Sequence, residues 1–294
     1  LSSDLPIPLI TRDWRCRWKE LALSEQEKPK PTVRKASKLF GRGKGASKAA
    51  GEDGATTGPV RRRIERLFRR IAFVCLLLLL LVAAIPAVLV PVYAFVDPPF
   101  STLMLRDRLK GADFKHEWVD FDQIAPVVPQ TAVMSEDAAF CRHWGVDLGA
   151  MREAVRAWRA GGRLRGASTI SMQTAKNLFL WPDRSLLRKA IEVPLAYYMD
   201  LVWSKRRMME IYLNIVEWDE GVYGIGAAAQ HHFGRTPLRL TRRQAARLVT
   251  ALPMPRIRNP ARPSSRHQRV ARVIERRTRD AARWTGCLFD GGAQ

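Results

Sequence analysis

Three stretches of this 294-residue sequence carry residue types that packing alone does not require. The first, residues 135–147, places Glu136 and Asp137 just after the apolar Ala132-Val133-Met134 and continues into Cys141-Arg142-His143-Trp144. A carboxylate beside an apolar run is costly to bury unless paired. Held in a partly apolar pocket, it has a raised pKa, which suits proton abstraction near neutrality. A surface or salt-bridged glutamate is the plainer reading of Glu136. For His143 it is a structural hydrogen bond, since no second histidine stands at metal-ligand spacing. The second stretch, residues 166–177, runs Gly166-Ala-Ser168-Thr169 into Gln173, Lys176 and Asn177. Backbone N–H groups and hydroxyls at a helix start suit an anion, and Lys176 adds charge about two turns along the same face. An ordinary Ser/Thr cap explains the start equally well. In the third, Arg184 precedes Arg188-Lys189-Ala-Ile-Glu192. On a helix, Arg188 and Lys189 lie i−4 and i−3 from Glu192, so the three share a face, as a catalytic cluster or a surface salt-bridge ladder would.

The chain that must position these groups is basic, with 50 Lys+Arg against 28 Asp+Glu and a formal charge of +22. Its 47% hydrophobic content excludes a wholly disordered chain, and its net charge points to an anionic partner. Residues 71–96 contain no charge at all. About 20 helical residues cross a bilayer core of roughly 30 Å, so this run predicts one transmembrane helix, kinked or ended by Pro86 and Pro91. Six arginines between Arg61 and Arg70 crowd its N-terminal edge, which predicts a cytoplasmic N-terminus. Residues 97–294 then lie outside the cytoplasm, where nucleic acid is not the partner and anionic or pyrophosphate-bearing lipid is the better fit. Residues 1–70, with a Gly/Ser/Ala/Lys-rich tract, read as a flexible cytoplasmic tail.

The outer part has few period-two runs and reads as one mainly α domain. Helices are expected from Asp147 as cap through Trp158, from Thr169 to Leu180, from Leu186 to Val202 with a kink at Pro194, and from Lys205 to Leu213 behind Ser204. Thr241 and Gln244 have capping-box spacing for a helix reaching Leu252, and a last basic helix covers about 265–284. The four cysteines, Cys16, Cys75, Cys141 and Cys287, are too few and scattered for a disulfide scaffold. Whether Cys141 and Cys287 meet is left open.

Taken in order, these stretches are followed by Lys205-x4-Glu210-x-Tyr212-Leu213-Asn214, Gly221-Val-Tyr-Gly224, His232-Phe233-Gly234, Leu252-Pro253 and Asn259-Pro260. The set closely resembles the peptidoglycan glycosyltransferases (transglycosylases) of glycosyltransferase family 51, over about residues 95–280. Within them it is most similar to the monofunctional biosynthetic kind with one N-terminal anchor, since no transpeptidase domain follows. The resemblance implies a lysozyme-like helical fold in the periplasm at the inner membrane. It also implies polymerisation of lipid II into a nascent glycan strand with release of undecaprenyl diphosphate. By residue, it implies that Glu136 is the base and Glu192 the second essential carboxylate. Lys176, Arg184, Arg188 and Lys189 would surround the donor pyrophosphate. Ser168, Thr169, Gln173 and Asn177 would line the site, and Asn214 would help shape it. No cofactor is certain; a divalent ion, Mg or Mn, near Glu192 is one of several roles open to that residue. Other wall-synthesis or division proteins are further candidate partners.

The sequence departs from the family pattern at Met172, where the first of a Gln pair is usual, at Pro194, at Cys141, and at His231-His232 before Phe233, where Tyr is more frequent. Two other readings compete: a membrane-bound lytic transglycosylase, and an inactive scaffold for wall synthesis. The cation cluster argues against the first and the intact Glu136 and Glu192 against the second.

Overall fold

The computed structural model describes residues 58–162, 166–183 and 185–289. The expected tail up to residue 57, and Arg184, lie outside them. Helix α1 spans Gly58–Tyr93, so it begins well before the expected 71 and ends before 96. Arginine is a good helix former, and nothing between Arg63 and Arg70 breaks the helical run. Among the described residues, α1 is the one helix long and apolar enough to cross a membrane. Pro86 and Pro91 lie inside it rather than ending it. Pro91 has no N–H to offer the carbonyl four residues back, and that carbonyl, of Ala87, accepts instead from Tyr198 Oη at 3.0 Å.

Past α1 the chain is mainly helical, as its pattern predicts. Helices α2 (Thr102–Leu109), α3 (Val127–Glu136), α4 (Leu148–Arg159) and α5 (Ile170–Phe179) are followed by α6 (Leu186–Val202) and α7 (Lys205–Ile215). Beyond these come α8 (Gly224–Phe233), α9 (Arg242–Val249), α10 (Ser265–Arg277) and a short α11 (Gly286–Phe289). Most starts are capped as the residue types require. Asp147 accepts from the Ala150 amide, Thr169 from Met172, Ser204 from Arg207, and Thr241 with Gln244 closes a capping box. Three ends differ from expectation. Helix α7 runs on to Ile215, α9 stops at Val249, and the last basic helix breaks at Asp280 into a 3₁₀ stretch, Thr278–Trp284. Helix α6 continues through Pro194, which is exposed.

A small sheet of three short strands, β1 (Lys115–His116), β2 (Glu217–Asp219) and β3 (Val222–Tyr223), has the order β1-β3-β2. Strand β3 pairs in parallel with β1 and antiparallel with β2. The core gathers on α5, α7, β2 and α8, where Met172, Met208, Tyr212, Trp218 and Ile225 are fully buried. Two glycines permit the closest approaches. Gly145 has φ of 70°, and a Cβ there would stand 2.3 Å from the Ala196 carbonyl oxygen. Gly224 has φ of 79°, and a Cβ would stand 2.7 Å from the Asn214 carbonyl.

The carbonyl end of α1 is fastened to α6 and α7. Trp203 Nε1 donates to the Val90 carbonyl at 2.7 Å and Arg207 Nε to that of Tyr93 at 2.9 Å. Arg207 also reaches the Val96 carbonyl and the Asp97 carboxylate. These donors satisfy acceptors that a helix end leaves unpaired. Cys141 and Cys287, left open by the sequence, form a disulfide across 146 residues with Cα atoms 5.7 Å apart. It joins the segment just past Glu136 to α11.

Candidate active site

Glu136 is the last residue of α3 and is half-buried. Ser135 Oγ donates to its Oε1 at 3.0 Å, and Gln173 Nε2 lies 3.4 Å from its Oε2. Burial raises its pKa above the ordinary carboxylate range; Ser135, Gln173 and the charge of Arg258 oppose that rise without cancelling it. Its position at a helix C-terminus acts in the same direction, because that end of the dipole disfavours negative charge. Gln173 is itself oriented. Tyr212 Oη donates to its Oε1 at 3.3 Å, and burial together with the charges of Glu136 and Asp137 holds that phenol protonated. An ionised Glu136 only accepts, so Gln173 must turn its NH2 to the glutamate and its carbonyl to the tyrosine.

Asp137, the neighbouring carboxylate, is turned away to a structural task. It accepts from the Ile170 amide at the start of α5 and faces His143 Nε2 at 3.0 Å. His143 is therefore a structural hydrogen-bonder. Below it, the buried Lys205 donates to Asp200 and to the His143 carbonyl, fixing the loop that follows Glu136.

The cations gather around Glu192, which is 2% exposed. Arg188 pairs with one of its oxygens and Lys189 Nζ with the other at 2.9 Å, as the i,i+4 and i,i+3 spacings predict. Lys189 also donates to Ser168 Oγ at 2.8 Å, linking this cluster to the start of α5. Burial lowers the Lys189 pKa to about 8, and the charges of Arg188 and Lys176 push it the same way. Lys176 is lowered too, by burial and by Arg188. Arg188 also faces Asp183 Oδ1 at 3.7 Å, and Lys176 feels the charge of Glu217. Even so, Arg188 and Lys176 stand close enough to Lys189 to lower its pKa, a grouping of like charge that a diphosphate would neutralise.

Glu136 and Lys176 line two adjoining hollows. Ser135, Glu136, Ser168, Gln173, Thr250, Pro253 and Arg258 line a hollow of ≈ 380 Å³. Arg106, Gln173, Lys176, Asn177, Glu217, Pro253 and Arg256 line a second of ≈ 280 Å³. Gln173 and Pro253 belong to both, so the hollows meet there, and together they reach the size of ordinary ligand sites, about 300–1,000 Å³.

Thr169, expected to line the site, and Asn214, expected to help shape it, both work in the interior. Asn214 is fully buried and uses its amide on backbone: Nδ2 donates to the Val119 and Glu210 carbonyls, and Oδ1 accepts from the Val119 amide. It clamps α7 to the segment after β1. Thr169 is 2% exposed; its hydroxyl caps α5 and donates to the Gly145 carbonyl at 2.6 Å. Met172, at the position of the departed glutamine, is buried in the core, so the exchange removes nothing from the cleft wall. Sequence reasoning missed Arg106, Arg256 and Arg258. Arg256 pairs with Glu217 at 2.8 Å beside Lys176, and Arg258 stands near Glu136. The only signal for Arg256 and Arg258 was the turn after Leu252-Pro253, and Arg106, on α2, had none.

A divalent ion at Glu192 does not fit the residues present. Both of its oxygens already face cations, and Lys176 adds a third positive charge close by. No step below is routed through such an ion.

The transglycosylase family model matches residues 104–278. Three similar proteins are each named biosynthetic peptidoglycan transglycosylase. That of Rhizobium meliloti (strain 1021) is 50% identical over 232 residues, 78% of this chain and 96% of the relative. That of Agrobacterium fabrum (strain C58 / ATCC 33970) is 49% identical over 225 residues, 76% and 99% of the two chains. The Brucella suis biovar 1 (strain 1330) protein is 48% identical over 217 residues, 73% and 96%. With this likeness across most of its length, the chain belongs to the transglycosylase family.

Proposed function

We propose that this protein is a peptidoglycan glycosyltransferase that polymerises lipid II into glycan strands in cell-wall synthesis. The observation that carries the reading is the pair of adjoining hollows, Glu136 lining one and Lys176 the other, with Gln173 and Pro253 common to both. Glu136, ionised and oriented by Ser135 and Gln173, takes the proton from the 4-hydroxyl of the acceptor GlcNAc. That oxygen forms a bond to C1 of the donor MurNAc as the bond from C1 to the pyrophosphate oxygen breaks, and the configuration inverts from α to β. The electron pair leaves with undecaprenyl diphosphate. Lys176, Arg188 and Lys189 stabilise that developing charge, joined by Arg184 on the strength of its place in the sequence. Glu192 holds Arg188 and Lys189 in place, while Ser168, Gln173 and Asn177 supply the polar wall.

We place α1 in the inner membrane, with the N-terminus in the cytoplasm and the catalytic domain in the periplasm. Support comes from its length and apolarity, the arginines at its N-terminal edge and the Cys141–Cys287 disulfide, which suits an oxidising compartment. The lipid carrier and the enzyme then diffuse in one plane, which removes a three-dimensional search.

The test is purified full-length protein in detergent or vesicles with labelled lipid II. Glycan polymer is the expected product. Shortening of preformed glycan would mean a lytic enzyme, and binding without turnover would mean a scaffold.

A further inference from the structure

Away from the cleft, the end of β2 and the last turn of α8 bring three donor groups together. Their donor atoms all lie within 4.8 Å of one another, and among the described residues they are the one such cluster of three. His231 Nε2 stands 3.7 Å and His232 Nε2 3.6 Å from the same oxygen, Asp219 Oδ2. Consecutive residues on a helix diverge by about 100°, yet both imidazoles converge on one carboxylate, with their rings edge to face and centroids 4.8 Å apart.

Hydrogen bonding does not account for the arrangement. Both distances exceed the usual N–H···O range of about 2.7–3.2 Å. His232 Nε2 is buried with no hydrogen-bond partner, and its side chain is 1% exposed. An orphaned buried ring nitrogen aimed at a carboxylate calls for an explanation. We propose that Asp219, His231 and His232 form a binding site for one divalent transition-metal ion of the zinc class, with a further position open to water.

The chemistry fits such an ion. Two imidazoles and one carboxylate favour zinc, cobalt, nickel or copper over magnesium or calcium. Tetrahedral ligands with metal–nitrogen bonds of about 2.0–2.1 Å lie roughly 3.3 Å apart. The Asp–His separations therefore need to close by a few tenths of an ångström, while the two imidazoles, within 4.8 Å of each other, must draw together by up to about 1.5 Å. His231, with a side chain 37% exposed, is free to make that adjustment. The outer shell is set as well. Asp219 Oδ1 accepts from the Glu220 amide at 2.8 Å, leaving Oδ2 for the ion, and the His232 ring has a hydrogen bond to the Trp218 backbone. A hollow of ≈ 620 Å³ lined by Lys115, His116, Glu117 and His231 provides entry and room for water. Bound there, the ion would fasten β2 to α8, two residues from the cleft-lining Glu217.

The site stands apart from the catalytic reading, and its test does not use turnover. Tag-free full-length protein is stripped with chelator and titrated with Co²⁺, whose d–d absorption reports tetrahedral nitrogen and oxygen ligands; Zn²⁺ is then added in competition. The expected result is one Co²⁺ per chain, displaced by Zn²⁺ and not by Mg²⁺. Saturating Zn²⁺ should raise Tm by about 5–10 °C at a hundredfold excess over Kd. His231→Gln and Asp219→Asn should each weaken binding at least tenfold and abolish the Tm shift, with circular dichroism and metal-free Tm unchanged. His232→Ala should do the same where it folds; because His232 is buried, the two exposed variants decide. No stoichiometric Co²⁺ spectrum in the wild type, or undiminished binding in His231→Gln and Asp219→Asn, would overturn the proposal.

Discussion

Glu136 and Glu192 are the same residue type near one cleft, and the chain treats them in opposite ways. Glu136 ends a helix, faces neutral donors, and has its pKa raised by burial. Glu192 lies inside a helix, fully enclosed, with a cation on each oxygen. The first is left basic enough to accept a proton; the second is neutralised and serves as an anchor for positive charge. The difference teaches that the surroundings, and not the carboxylate itself, divide the work of acid–base chemistry from that of charge stabilisation.

The sharpest way to break this comparison is Glu136→Gln. Polymerisation should fall by about 10²–10⁴-fold, the contribution of a general base, with lipid II binding kept. The wild type's raised pKa stabilises the fold below that pKa and the effect is lost as pH rises through it. At neutral pH the variant should therefore melt no lower than the wild type. A Gln variant with more than about a tenth of the wild-type rate would remove Glu136 from proton transfer.

Glu192→Gln should behave differently. It leaves Lys189 without its counter-charge and Arg188 with Asp183 alone, and losing one partner of a buried pair costs about 3 kcal/mol, roughly 6–12 °C in Tm. Thermal melts of the two variants side by side check the contrast; equal melting temperatures would erase it.

The pH profile sharpens it further. Activity should rise with pH as Glu136 ionises, through a midpoint above the ordinary 4.5. It should fall again as Lys189 loses its proton near pH 8. Lys189→Arg should move the alkaline limb upward and leave the acid limb in place. The smallest effect is expected from Tyr212→Phe, which frees Gln173 to turn its amide. A several-fold loss in kcat with KM little changed would mark Tyr212 as a positioning residue.

What could be read from the sequence was what is local in the chain. The caps at Asp147, Ser204 and Thr241 and the Arg188-Lys189-Glu192 face depend on neighbours three or four residues away, and they form as their spacing predicts. The Glu136–Gln173–Tyr212 relay joins residues 37 and 39 apart in sequence, and no local pattern reveals it. The Cys141–Cys287 bond and the approach of Arg256 to Glu217 are equally remote. Asn214 and Thr169 illustrate the converse. Polar residues in a family motif suggest substrate contact, yet each satisfies backbone groups in the interior. The early start of α1 shows that charge ends an apolar stretch without ending a helix.

The junction of α1 with α6 and α7 has one more consequence. Its last carbonyls are pinned by Tyr198, Trp203 and Arg207, so the stem and the head turn as one piece. A long apolar helix adapts to a thicker or thinner bilayer by changing its tilt. With α1 in the bilayer as proposed, these bonds would carry that tilt to the catalytic head, and the thickness of the surrounding lipid would set the angle at which the mouth of the enzyme meets its carrier.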